Sequence, residues 1–377
     1  MSVVYRRRGL PAPQTLAPAG FEVFSPPSDR ERVDLYLSAF LAQSRRTHAA
    51  NDHLLPLYAR MTEFVLRGGK RLRPRLALAS YRILTGRLEP PPRPIWLTAS
   101  SLELFHAFML VHDDLIDESA TRRGNPTLHE TIRTDGNASD CPVDRKKASD
   151  LGLVAGDLLF ALGMRMVGRS GLEDAAFGRA QRLLSDMLFE TGLGEALDIL
   201  FGDCPLANIG EAEIIDAYFR KTARYTISGP LRLGATLAGA DTSVDRTLRH
   251  FGDLLGLGYQ MQNDLDALDE GNDPADLVGG KKTWLLWRAY HRSSEAKRRK
   301  IEAALSAPPG SERGRVLREA IISSDAIQDC RERLESLREE AATTLRESSL
   351  DATQRKSFLS LAKLFRPSHQ VLPFDAS

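Results

Sequence analysis

Leu110-Val111-His112-Asp113-Asp114-Leu115-Ile116-Asp117, followed closely by Arg122-Arg123-Gly124, ends an apolar run that includes Leu102, Leu104, Phe105, Phe108 and Met109. The spacing predicts a helix over residues 95–117, on which Asp113 and Asp117 stand one turn apart on one face. Two carboxylates that close repel, and the repulsion costs stability unless a cation bridges them. A small set of hard oxygen ligands suits Mg2+, which keeps waters and completes its shell with substrate phosphates. Arg122 and Arg123 offer planar forks for the same phosphate oxygens. A solvated acidic helix end is the plainer alternative for this stretch alone.

Upstream, Gly68-Gly69-Lys70-Arg71-Leu72-Arg73-Pro74 ends one apolar helix and carries basic residues into the next. Downstream, Tyr259-Gln260-Met261-Gln262-Asn263-Asp264-Leu265-Asp266 sets Gln260, Asn263 and Asp264 on one polar face, with Asp266 and Asp269 on another. Gly279-Gly280-Lys281-Lys282-Thr283 follows, and Lys221-Thr222 interrupts an expected helix over 211–239. Alone, Lys221 reads equally as a surface lysine. Together these are two acidic helix faces, each trailed by cations, a constellation suited to a substrate carrying a diphosphate.

The remaining pattern is helical: 33–41, 54–66, 76–84, a helix opening near 153 in which Ala155-Gly156 suggests close packing, then 177–200, 244–268, 284–290, 297–305, 315–322, 327–345 and 354–365. No strand is expected. Residues 134–147 read as a surface loop, 1–30 as a flexible arm, 31–366 as one all-α domain and 367–377 as a tail. The chain of 377 residues is 42% hydrophobic and 27% charged with a net charge of +1, a profile that argues against general nucleic-acid binding and confines any basic site to a local patch. Three distant cysteines (Cys141, Cys204, Cys330) form no ligand spacing, and Arg6-Arg7-Arg8 precede no signal-like apolar segment. The expectations are a cytoplasmic chain and no apolar run long enough for stable membrane insertion.

These motifs, in this order, resemble the trans-isoprenyl diphosphate synthases, the polyprenyl synthetase family. The resemblance runs from about Gly68 to Thr283, with a weaker echo to about Arg366, and includes Ala155-Gly156-Asp157. It implies an isoprenoid synthase fold, a single bundle of about a dozen helices around a central cavity, usually a homodimer. Asp113 and Asp117 would ligate Mg2+ with Asp114 in support, and Asn263 and Asp264 would form the second metal face. Arg122, Lys221 and Lys281 would hold an allylic diphosphate, with Thr222 and Gln260 among the substrate-binding residues. Lys70, Arg73, His106 and Arg123 would hold isopentenyl diphosphate. The reaction implied is head-to-tail condensation of the two. Phe108 and Met109, one turn before Asp113, would floor the chain-length pocket and favour geranylgeranyl over farnesyl diphosphate.

The sequence departs from the family in two places. Asn263 and Ala267 stand where its second motif has aspartates, and Glu195 stands where it often has Gln. An amide oxygen can ligate Mg2+ but lacks formal charge. Related class I terpene synthases carry an Asn-Asp pair here, although Ala267 and Gly271 replace their further ligands. A terpene-cyclase-like or irregular-coupling enzyme on the same fold, and a regulatory subunit of a heteromeric synthase, are the alternatives.

Overall fold

The computed structural model describes residues 26–48, 51–87, 90–122, 124–136, 143–268 and 275–362. Helices α1 (Pro26–His48), α2 (Leu55–Leu66), α3 (Leu72–Thr85), α4 (Arg93–Ile116), α5 (Leu128–Gly136), α6 (Arg145–Gly168) and α7 (Asp174–Gly202) form the first half. The second comprises α8 (Glu211–Tyr218), α9 (Gly229–Leu237), α10 (Thr242–Asp266), α11 (Ala275–Gly279), α12 (Trp284–Arg292), α13 (Glu295–Ser306), α14 (Ser311–Ile322), α15 (Ala326–Arg346) and α16 (Ala352–Ala362). There are two apolar cores, one around Trp96, Phe105 and Leu159, drawn mostly from the first half with Tyr225 and Leu233, and one around Phe251, Leu286 and Phe358, drawn mostly from the second with Leu76 and Ala79 of α3.

The expected helix over 211–239 exists in three parts. Phe219–Ser228, between α8 and α9, is a π-helix. Its widened turns shift which side chains face inward, and they carry Lys221 and Thr222. The small residues of α6 are there for close approach. A Cβ on Gly156 would sit 2.3 Å from the His112 ring, and one on Gly163 would sit 2.6 Å from Phe105, so α4 can lie against α6 only where side chains are missing.

Four expectations are corrected. Helix α1 begins at Pro26 rather than after an arm ending at residue 30, and Arg82 clamps its buried Asp29 with two bonds of 2.6 and 2.8 Å. Residues 1–25 and 363–377, with the proposed tail, lie outside the described residues. Residues 134–136 close α5 instead of opening a loop. Two short strands, β1 (Thr121–Arg122) and β2 (Asn125–Pro126), pair antiparallel. Two residues per strand are too few to show alternation, and Gly124 at φ +76° supplies the left-handed turn between them. Finally, α4 and α6 are each long and apolar enough to cross a membrane by length and composition, with 72% and 44% of the relevant windows buried inside the protein. Both pack in the first core, which accounts for the apolar run of α4; α6 retains a more open apolar face.

Candidate active site

The site is built on five segments, α4, the β hairpin, α7, the π segment and the turn before α12, which meet near the C-terminal end of α4. Asp113 and Asp117 stand there one turn apart, and Asp117 caps the helix, its N–H donating to the Asp113 carbonyl. The hairpin of β1 and β2 folds Arg122 back onto this end. Its Nη2 donates to Asp113 at 2.5 Å and its Nε to Asp114 at 2.7 Å. Asp114 is 1% exposed, and burial pushes its carboxyl up to about 6 against the pull of Arg122. Asp117 is also raised, by burial first and by the charge of Asp113 second. Asp114 therefore anchors Arg122 inside the protein, while Asp113 and Asp117 form the outer face. Arg123 lies outside the described residues.

Facing them is α7. Gly194 lets the π segment come against it, since a Cβ there would sit 2.4 Å from the Lys221 backbone nitrogen. Glu195 and Asp198 then share a face at i, i+3. Lys221 Nζ lies 2.7 Å from Asp198, 2.9 Å from Glu195 and 3.7 Å from Asp113. Lys281, on the turn before α12, lies 3.3 Å from the same Asp198 oxygen and 3.5 Å from Asp276. Burial pushes Asp198 up, yet Lys281 and Lys221 outweigh it and hold the carboxyl below its ordinary range. Burial and Lys281 oppose the charge of Lys221, but Asp198 and Glu195 outweigh them and raise it. Lys281 is raised too, by Asp198, Asp276, Asp113 and Asp117 against burial. Two ammonium groups are thus kept charged beside the first aspartates.

The second motif is arranged differently from the expectation. Asn263 is exposed, and Asp266 accepts a bond of 2.7 Å from Gln262 on the same exposed flank. Asp264 is only 6% exposed, with one oxygen taken by the Tyr218 hydroxyl and the other by the Gln260 amide at 2.8 Å. Burial raises it to about 7, the two bonds opposing. Gln260 in turn accepts from the Thr222 hydroxyl at 3.0 Å. Asp269 and Gly271 lie outside the described residues.

On the other side of Arg122 opens a cavity of about 730 Å³, lined by Lys70, Arg73, His106, Arg122, Thr226 and Tyr259 among others. Arg73 donates to Thr226 at 2.9 Å and stacks over Tyr225, 4.3 Å from the ring centre. Its neighbour Arg71 has a structural task. At φ +47° and 5% exposed, it bonds Asp34 at 2.7 Å, Glu103 at 2.9 Å and the Val65 carbonyl at 2.9 Å, fixing the turn that aims Lys70 and Arg73.

Phe108 stacks edge-on against His112 and against Phe160 of α6, with ring centres 4.8 and 5.4 Å apart, and Met109 is half-buried beside the same core. Phe160, Asp198, Asp276 and Tyr218 join the predicted residues although the sequence reading assigned them no role. Asp198 carried a signal, three residues after Glu195 on one helical face; the other three reach the site only through packing.

The pattern of residues has a match. Residues 56–321 fit the family model described as polyprenyl synthetase. The chain belongs to the polyprenyl synthetase family. A geranylfarnesyl diphosphate synthase from Aeropyrum pernix is 30% identical over 273 residues, 69% of this polyprenyl synthetase and 76% of that chain. A geranylgeranyl diphosphate synthase from Sulfolobus acidocaldarius is 29% identical over 280 residues, 72% and 77% of the respective chains. Among solved structures, geranylgeranyl pyrophosphate synthase from Corynebacterium glutamicum, complexed with isoprenyl diphosphate and magnesium, superposes with a TM-score of 0.82 at 29% identity, covering 91% of this polyprenyl synthetase and 99% of that chain. The fold is the isoprenoid synthase bundle of the resemblance, and this polyprenyl synthetase is a short-chain prenyltransferase.

Proposed function

We propose that the enzyme condenses isopentenyl diphosphate with an allylic diphosphate to give geranylgeranyl diphosphate, with Mg2+ held at Asp113 and Asp117. The observation that carries this reading is the double position of Arg122, which lines the 730 Å³ cavity and also bonds Asp113 and Asp114. One guanidinium thus joins a basic cavity to a carboxylate pair, as a reaction between two diphosphates requires.

The donor set on α4 fits Mg2+. Among the described residues no three His, Cys, Asp or Glu side chains form a ready-made cage. Two carboxylates from one helix suit an ion that keeps waters and takes phosphate oxygens for the rest of its shell. Bound there, Mg2+ would neutralise charge developing on the departing diphosphate. Lys221 and Lys281, kept charged by Asp198, hold the same diphosphate by exchanging carboxylate partners for phosphate oxygens. Lys70, Arg73 and His106 orient the isopentenyl diphosphate in the cavity, with Arg122 between the two. Apolar walls of α4 and α6 keep water from the carbocation, and Phe108, backed by Phe160, floors the tail pocket one turn before Asp113.

Exposed Leu153 and Val154 on α6 and Phe189, Leu193 and Leu200 on α7 support a homodimer, since so much apolar surface in water is costly. The free thiols Cys204 and Cys330 suit a reducing compartment such as the cytoplasm.

Incubating the protein with isopentenyl diphosphate, each allylic starter and Mg2+, then measuring product mass, tests the proposal. A twenty-carbon diphosphate is expected. The exposed amide Asn263 and the enclosed Asp264 favour a second reading, a cyclase-like or irregular-coupling enzyme. A hydrocarbon released from farnesyl or geranylgeranyl diphosphate alone would establish it. Activity appearing only with an added synthase would mark a regulatory subunit.

A further inference from the structure

The buried bonds of Asp264 belong to a longer chain that joins the two lysine-bearing segments. It starts at Thr222, beside Lys221 on the π segment, whose hydroxyl donates to Gln260 at 3.0 Å. Gln260 passes its amide to one Asp264 oxygen at 2.8 Å, and Tyr218 gives its hydroxyl to the other. The Tyr218 oxygen accepts the Trp284 N–H at 2.8 Å. Trp284 opens α12 three residues after Lys281, and its indole N–H donates to Glu211 at the start of α8, at 3.0 Å. The pieces α8, π segment, α10 and α12 are thus pinned together through one carboxylate. Both Asp264 oxygens already accept from buried donors, and turning the carboxylate towards a metal beside Asp113 would leave Tyr218 and Gln260 without their acceptor in a buried place. The other positions of the motif offer little in its stead, since Asn263 is exposed and uncharged and Ala267 has no donor.

We infer that in this chain Asp264 is not a metal ligand but the centre of a buried strut, and that Tyr218 is a positioning residue that sets Lys221 and Lys281 at the spacing a diphosphate needs. This rests on the prenyltransferase reading only for the identity of the ligand. The α10 face does not fit a divalent ion, whereas the α4 face does, so the chain binds its metal from one side and relies on lysines on the other.

The experiment counts metal without turnover. Mn2+ is titrated into the purified full chain and followed by electron paramagnetic resonance. Asp264→Asn is expected to bind the same number of ions with a half-saturation within about twofold of wild type, while Asp113→Asn weakens binding about tenfold or more. Loss of an ion, or tenfold weakening, in Asp264→Asn overturns the strut. For Tyr218, calorimetry follows inorganic diphosphate in the presence and absence of Mn2+. Tyr218→Phe, which keeps the ring, is expected to weaken diphosphate binding about tenfold both with and without Mn2+ while leaving the Mn2+ count unchanged. A lower melting temperature with undiminished diphosphate affinity would leave Tyr218 a merely structural residue and overturn its positioning role. Should the protein form no prenyl product at all, the proposed function fails, and these binding measurements still decide the strut.

Discussion

Asp113 touches Arg122 and stands within reach of Lys221, and it shares its helix face with Asp117. Asp113→Ala removes half of the proposed metal pair, so turnover should fall on the order of 10³-fold. Folding should survive, because the repulsion from Asp117 disappears with it; a steady-state assay beside a melting curve checks both. Phe108 has a separable task. Phe108→Ala removes the ring that meets Phe160 and His112, which opens space along α4 and α6. The product should lengthen by at least one isoprene unit, read by mass, and unchanged length would show that the floor lies elsewhere.

Between elements, the polar contacts decide how segments are held. Arg71 ties α1, α2 and α4 to the turn before α3 through Asp34, the Val65 carbonyl and Glu103. Arg71→Ala would strand Glu103, 6% exposed, without its partner, a loss of about 3–5 kcal/mol for a broken buried pair, measurable by denaturant unfolding. Asp253 behaves oppositely. It sits on α10 against the π segment, and burial raises its carboxyl although Ser228, Arg224, Arg249 and Arg232 pull it down. A carboxyl raised in the folded state opposes folding once it is ionised. That cost is absent below the unfolded value of about 3.9, grows as pH rises through the folded value and is complete above it. Asp253→Asn should therefore melt a few degrees higher than wild type at neutral pH, with the gap closing towards pH 4.

For the whole molecule, the two cores make one site possible because α4 belongs to the first half and the π segment and α12 to the second. The apolar face of α6 and α7 remains open, with Phe189 69% and Leu200 65% exposed. Phe189→Glu should shift the protein from dimer to monomer in light scattering after gel filtration; a wild type that is already monomeric would refute the assembly. Much of this architecture is legible in the chain. Asp113 and Asp117, one turn apart, identify the acidic helix end, and the interruption at Lys221-Thr222 marks the π segment. The enclosure of Asp264 is not legible, because its partner Tyr218 lies 46 residues away on a different helix. The role of Asp198 shows only as a shared face with Glu195, and the pair of two-residue strands leaves no pattern to read.

The sequence by itself determined the helical class, the order of the motifs and the first acidic face, because periodicity and i, i+4 spacing are local properties of a helix. It also determined the family, since those motifs recur in one order. Only the tertiary structure decided which carboxylates meet which cations. Whether a side chain is a ligand or a strut depends on the donors that packing brings to it from distant segments, and Asp113 and Asp264, alike in sequence, received opposite surroundings.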